Sequence, residues 1–272
     1  MRSARVTVDG LPAPVVLVAH GSRDPRAAAA TRGLVRAVAA ARPGRTVRAS
    51  YLDHTAPTPA QVLRELESAG HRRAVVVPLL LTDAYHGRVD VPGAVAAARA
   101  DGLRMPVRIT GVVGPVGGTV DELLVAGLRR RLAESTSVDR MGYDGVVLAA
   151  AGTRDAAARR TVDAAAAALG ADLALPCLAG YASAALPTVA EAVSHLRAAG
   201  ARRVAVAAYF LAPGRLYGVA ETSGRAAGAV VVAGPLGELP ELARLVLARV
   251  RSAESVAGNL LAMAATAMGG AT

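Results

Sequence analysis

The chain has 272 residues, room for about two domains of ordinary size and enough mass to close a hydrophobic core without covalent staples. Its single cysteine, Cys177, excludes an internal disulfide, and 53% hydrophobic residues with no apolar run of about 18 place the apolar content in many short buried elements. The charge of +10 is carried entirely by arginine, since the sequence contains no lysine; this removes Walker and Schiff-base lysine chemistry and implies an anionic partner.

In chain order, Val15 to Ala19 is a β-branched run, followed by His20-Gly21-Ser22-Arg23-Asp24-Pro25 and an alanine-rich helical pattern through Ala41. Asp24 is placed to cap that helix, with Pro25 at its first position. A second strand is predicted over Val47 to Leu52, then a helix over Thr58 to Ala69, a buried strand over Ala74 to Leu81, a helix over Val91 to Ala100 and a strand over Val107 to Val113. Asp121 to Leu132 reads as a last helix. Strict alternation with such connections predicts a doubly wound, mostly parallel α/β sheet flanked by helices.

The pattern then starts again. Ala19-His20-Gly21-Ser22-Arg23-Asp24 aligns with Ala150-Ala151-Gly152-Thr153-Arg154-Asp155, Pro57-Thr58 to Arg73 with Pro187-Thr188 to Arg203, and Gly114-Pro115 with Gly234-Pro235. A period of about 130 residues is too long for a solenoid and indicates two homologous lobes with a cleft between them. The expected organisation is residues 1–133 as an N-terminal catalytic lobe, 134–143 as a linker, 144–252 as a C-terminal lobe and 253–272 as a frayed tail.

Duplication also supplies an internal control. His20 aligns with Ala151, and Leu79 to His86 aligns with Tyr209 to Leu216, so both histidines belong to the first half alone. Each follows a predicted strand, where doubly wound sheets bind ligands. Neutral imidazoles suit divalent iron, cobalt, nickel and zinc. Asp53, near the end of the second strand, is the best carboxylate to join them, against a turn or capping role; His54 reads the same way. His71 and His195 lie at or on helices and receive no role. Ser22, Arg23, Tyr85, Arg88, Arg154 and Arg215 are candidates for holding an anionic substrate, with Asp83 and Asp90 as loop and capping residues around them.

Ala19-His20-Gly21-Ser22-Arg23 together with Leu81-Thr82-Asp83-Ala84-Tyr85-His86-Gly87-Arg88 resembles the sirohydrochlorin chelatases, class II tetrapyrrole chelatases of the CbiX/SirB type, in a long two-lobe form running from about Val15 to Val250. The resemblance implies two chelatase-like lobes and insertion of Fe²⁺ (for siroheme) or Co²⁺ (for cobalamin) into a polycarboxylate tetrapyrrole without ATP. The family's two histidines fall on His20 and His86, and its acidic residue, often glutamate, on Asp53. Ala84 replaces the glycine common two residues before the second histidine. The implied metal set is His20, His86 and Asp53, with no permanently bound cofactor.

Two other readings stand beside it. A noncatalytic metal or tetrapyrrole carrier needs the same side chains. A histidine phosphatase also places His-Gly after its first strand, but with arginine immediately before the histidine, where this chain has Ala19. With 3% aromatic residues there is little material for base stacking, so no nucleic-acid partner is expected. A cytoplasmic protein without membrane contact follows from the lack of a leader-like start, and the duplication allows a monomer.

Overall fold

The computed structural model describes residues 12–82, 89–136 and 142–269. Two parallel four-stranded sheets are present among them, ordered β2-β1-β3-β4 and β6-β5-β7-β8. In the first, β1 (Val15–Ala19) lies between β2 (Val47–Tyr51) and β3 (Ala74–Pro78), with β4 (Val107–Ile109) outside. The second repeats this with β5 (Gly145–Ala150), β6 (Cys177–Tyr181), β7 (Val204–Ala208) and β8 (Val231–Val232).

Helices alternate with the strands: α1 (Pro25–Ala41), α2 (Pro59–Ser68), α3 (Val91–Ala100), α4 (Glu122–Ser135), α5 (Ala156–Leu173), α6 (Val189–Ala198), α7 (Arg215–Ala226) and α8 (Pro240–Gly269). Their starts are chemically specified. Asp24, Asp121 and Asp155 accept backbone N–H bonds as N-caps, while Thr58 with Gln61 and Thr188 with Glu191 form reciprocal capping boxes.

Alternation along the strands divides the interior. Val16 and Val18 face an outer cluster with Val62, Leu63 and Leu66 of α2, while Val15 and Leu17 face the middle of the molecule. The corresponding outer cluster of the second sheet contains Val147, Val189 and Val193. Between the two inner faces a single continuous core joins Val15, Leu17, Val146 and Leu148 to side chains of α1, α4, α5 and α8. Each fully buried Val or Leu contributes roughly 1.5–3 kcal/mol, so the lobes are fused by their main hydrophobic layer.

The lobes also exchange helices. α4, the last helix of the first half, packs on β7, β8 and α5; α8, the last of the second half, packs on α1 and β3. These packings cross between the two halves of the chain. α8 is helical to Gly269, where a frayed tail was expected from residue 253. Two strands end early: β3 stops at Pro78, which has no N–H for the ladder, and β4 at Ile109 instead of Val113. The chain beyond them is still ordered, since Leu79 N donates to Val18 O at 2.8 Å and Gly114 N to Leu80 O at 2.9 Å. Among the described residues no helix is long and apolar enough to cross a membrane.

Candidate active site

The carboxyl ends of both sheets open on one cleft of about 810 Å³, lined by both lobes. One wall is His20 to Asp24 and the first turns of α1, with Tyr51 and His54 after β2. The other is the run Phe210 to Tyr217, from the end of β7 into α7. The walls approach closely at Gly214, where an added Cβ would stand 3.9 Å from Ser22 Oγ.

A tight backbone crossing sets the first wall. His20 O accepts from Asp53 N at 2.9 Å, and Gly21 has φ +97° with its α-carbon so near the Asp53 carbonyl that a Cβ would collide with it. His20 is thereby held at the rim of β1, exposed to the cleft. Ser22 lines the cleft as well, but its Oγ accepts from Asp24 N at 3.0 Å, as Thr153 Oγ1 accepts from Asp155 N at 3.1 Å in the second lobe. The bond is shared by the two loops, so it shapes both.

Asp53 follows β2 on the turn beside this wall. Its side chain is 60% exposed and does not line the cleft; Oδ1 accepts from His54 N at 2.7 Å and lies 3.4 Å from His54 Nδ1. His54, at φ +60°, lines the cleft instead. The comparison that marks His20 against Ala151 also marks His54 against Ala184, which has φ +57° on the matching turn. That signal was available in the sequence. Among the described residues no three His, Cys, Asp or Glu side chains gather as a metal-ligand group. His86, Tyr85, Arg88 and Asp83 lie outside the described residues.

The start of the His86 loop is nevertheless fixed. Tyr209 of the second lobe donates its hydroxyl to Leu81 O at 2.9 Å, and Gly114 approaches the same carbonyl so closely that a Cβ would overlap it. Burial pushes the Tyr209 pKa well above the usual phenol range, which keeps the hydroxyl a donor at any physiological pH.

Positive charge comes from both walls, with Arg23 in the first and Arg215 in the second. Arg215 is the first residue of α7, whose N-cap, Gly214, offers no side-chain acceptor. The first N–H groups of that helix and its dipole therefore favour an anion at the cleft. Arg154 is exposed and is not among the residues that line the cleft; of its loop only Ala151 reaches the lining. Phe210 and Tyr217 pack edge to face at 5.8 Å, an aromatic element in the cleft wall that periodicity did not disclose. Cys177 is half-buried, and desolvation pushes its thiol up to about 12, so it favours the protonated form at neutral pH.

A sequence model of the CbiX family matches residues 14–135 and, a second time, residues 145–253. The chain belongs to the CbiX family of chelatases. The double match coincides with the internal duplication, so this CbiX chain carries both lobes in one polypeptide. Solved structures agree on the fold. SirB from Bacillus subtilis with Fe³⁺ has a TM-score of 0.76 and 22% identity, covering 91% of this chain and 98% of that one. SirB from Bacillus subtilis subspecies spizizenii in complex with cobalt gives 0.74 and 22%, over 91% and 98%. DR2241 from Deinococcus radiodurans, a multi-domain protein with structural similarity to chelatases, gives 0.63 and 21%, over 88% of this chain and 54% of that one. No curated protein sequence matches the chain.

Proposed function

We propose that this CbiX chain is a sirohydrochlorin chelatase that inserts Fe²⁺ or Co²⁺ into the polycarboxylate macrocycle without ATP. The observation that carries the reading is the lopsided cleft: imidazoles on the wall of the first lobe, and arginine with an uncapped helix N-terminus on the wall of the second. Insertion requires pyrrole N–H protons to leave as an aquo metal exchanges water for ring nitrogens. Imidazole suits this because its unperturbed pKa of about 6.5 lets it bind metal or accept a proton near neutrality.

His20 receives the metal or a ring proton at the rim of β1, and His86 is its partner from the loop anchored by Tyr209 and Gly114. Asp53 acts indirectly, by orienting His54 from behind. Arg23, Arg215 and the α7 N-terminus hold ring carboxylates, with Arg88 completing this set. Phe210 and Tyr217 give the flat ring an apolar surface, for which Tyr85 is a further candidate. The metal is a substrate here and no resident cofactor is required. A cytoplasmic, monomeric enzyme fits this reading.

The test is the absorption change of sirohydrochlorin on metal insertion, followed over multiple turnovers with Fe²⁺ and with Co²⁺. Turnover in the wild type and its loss in the His20→Ala/His86→Ala double variant are expected. Full activity in that variant would end the proposal, and a single stoichiometric binding event without turnover would make the protein a carrier.

A further inference from the structure

The second cleft wall, Phe210 to Tyr217, is held from behind by the turn that joins β8 to α8. Leu236 N donates to Phe210 O at 2.8 Å and Gly237 N to Leu211 O at 2.9 Å, while Tyr217 donates its hydroxyl to Ala233 O at 3.4 Å. These bonds make the turn a frame that sets the path of the wall.

A residue from the other half of the chain fastens the frame. Arg131 of α4 donates from Nη2 to Leu236 O at 3.0 Å, and its Nη1 donates to Glu134 Oε2 at 2.8 Å, which aims the guanidinium. Leu236 is thus bonded on both sides, through its N–H to the wall and through its carbonyl to Arg131. Gly237, at φ +56°, lets the guanidinium close on the turn, since an added Cβ would stand 3.1 Å from Nη2. The Arg131 side chain is 25% exposed, so its bond to the carbonyl is partly shielded from water and strengthened by the lower local dielectric.

The first lobe has the same device. Aligning the buried Leu124 and Leu132 of α4 with Leu242 and Val250 of α8 places Arg131 on Arg249. Arg249 Nη2 donates to Gly114 O at 3.3 Å and Gly114 N to Leu80 O at 2.9 Å, the same pair of bonds that Leu236 makes. The exchange of α4 and α8 therefore gives each lobe an arginine from the opposite half. The two fastenings are unequal. Arg249 also reaches Val112 O at 2.9 Å and the Asp121 carboxylate at 3.2 Å, whereas among the described residues Arg131 hydrogen-bonds the second lobe at Leu236 O alone. A single substitution at Arg131 should release the frame.

On the reading that the cleft binds the tetrapyrrole, we infer that Arg131 is a positioning residue for the second wall: acting through Leu236, it sets Phe210, Tyr217 and the intervening Arg215 for an anionic, planar ring. Arg131 is not among the residues that line the cleft, so its effect is exerted through the frame. Loosening the frame weakens ring binding, while the imidazole wall of the first lobe keeps its shape.

The experiment compares Arg131→Ala in the full chain with Arg130→Ala, which removes the same charge from the same helix turn but bonds Glu134 and Glu241 instead of the frame. Amide hydrogen exchange at Leu236 and Gly237 should quicken about tenfold in Arg131→Ala and stay unchanged in Arg130→Ala. KM for sirohydrochlorin should rise several-fold in Arg131→Ala with kcat and Co²⁺ affinity kept, a split that a general loss of stability does not produce. Arg131→Lys, which keeps the charge and a donor, should recover part of both effects, and it carries the same comparison where the alanine variant does not fold. Unchanged exchange at Leu236 and Gly237, faster exchange with unchanged KM, or an equal rise of KM in Arg130→Ala would overturn the assignment. A wild type that inserts no metal ends the functional reading instead, and the two failures are told apart because the exchange comparison needs no substrate.

Discussion

After β1 the chain reads His20-Gly21-Ser22, and after β5 it reads Ala151-Gly152-Thr153, on backbones with the same left-handed glycine, φ +97° and +94°. Both glycines press against a neighbouring carbonyl, of Asp53 in one lobe and Ser183 in the other. Both following turns carry a positive-φ residue, His54 and Ala184. The scaffold is thus repeated to the level of single carbonyls, while the imidazoles are confined to one copy. What both lobes keep is explained by folding; what only one lobe holds is left for chemistry.

The sharpest way to break this comparison is His20→Ala, which converts the first loop toward its twin. Turnover should fall by about 100-fold or more, the range for losing a positioned acid or base. Stability should stay within about 0.5 kcal/mol, because the residue is exposed. Gly21→Ala and Gly152→Ala test the shared half of the comparison. Each should destabilise by roughly 2–5 kcal/mol through left-handed strain and overpacking against a carbonyl, and denaturant unfolding should show similar losses in the two. A large loss at Gly21 alone would contradict the structural equivalence.

His54→Ala should reduce turnover about tenfold, less than His20→Ala, whereas Ala184→His should add no activity. Smaller effects belong to the arginine wall. Arg215→Ala should raise KM for the tetrapyrrole several-fold with little change in kcat, and added salt should reproduce that split in the wild type by screening charge. Tyr209→Phe leaves Leu81 O without its cross-lobe donor, at a cost of about 1 kcal/mol. Turnover should then fall a few-fold as the start of the His86 loop loosens.

Much of this scaffold was legible because its signals are local. Asp24-Pro25, Thr58-x-x-Gln61 and alternating valines state helix starts and strand faces within a few residues, and α1 and α3 have the bounds that periodicity predicts. The exchange of α4 and α8 was not legible, since an apolar helix face does not name the sheet that covers it. Asp53 was chosen over His54 because a carboxylate after a strand is a plausible ligand on chemistry alone. The left-handed turn at His54 puts the imidazole in the cleft lining, whereas the Asp53 carboxylate is 60% exposed and outside that lining. The Phe210–Tyr217 wall escaped notice because aromatics seven residues apart across a strand end carry no periodic signal.

The central claim is one metal-handling site, carried by the first lobe. Calorimetric titration of the full chain with Co²⁺, alone and in the His20→Ala variant, tests it most directly. One equivalent per chain in the wild type and a loss of that binding in the variant are expected. Two equivalents per chain, or unchanged binding in His20→Ala, would contradict it.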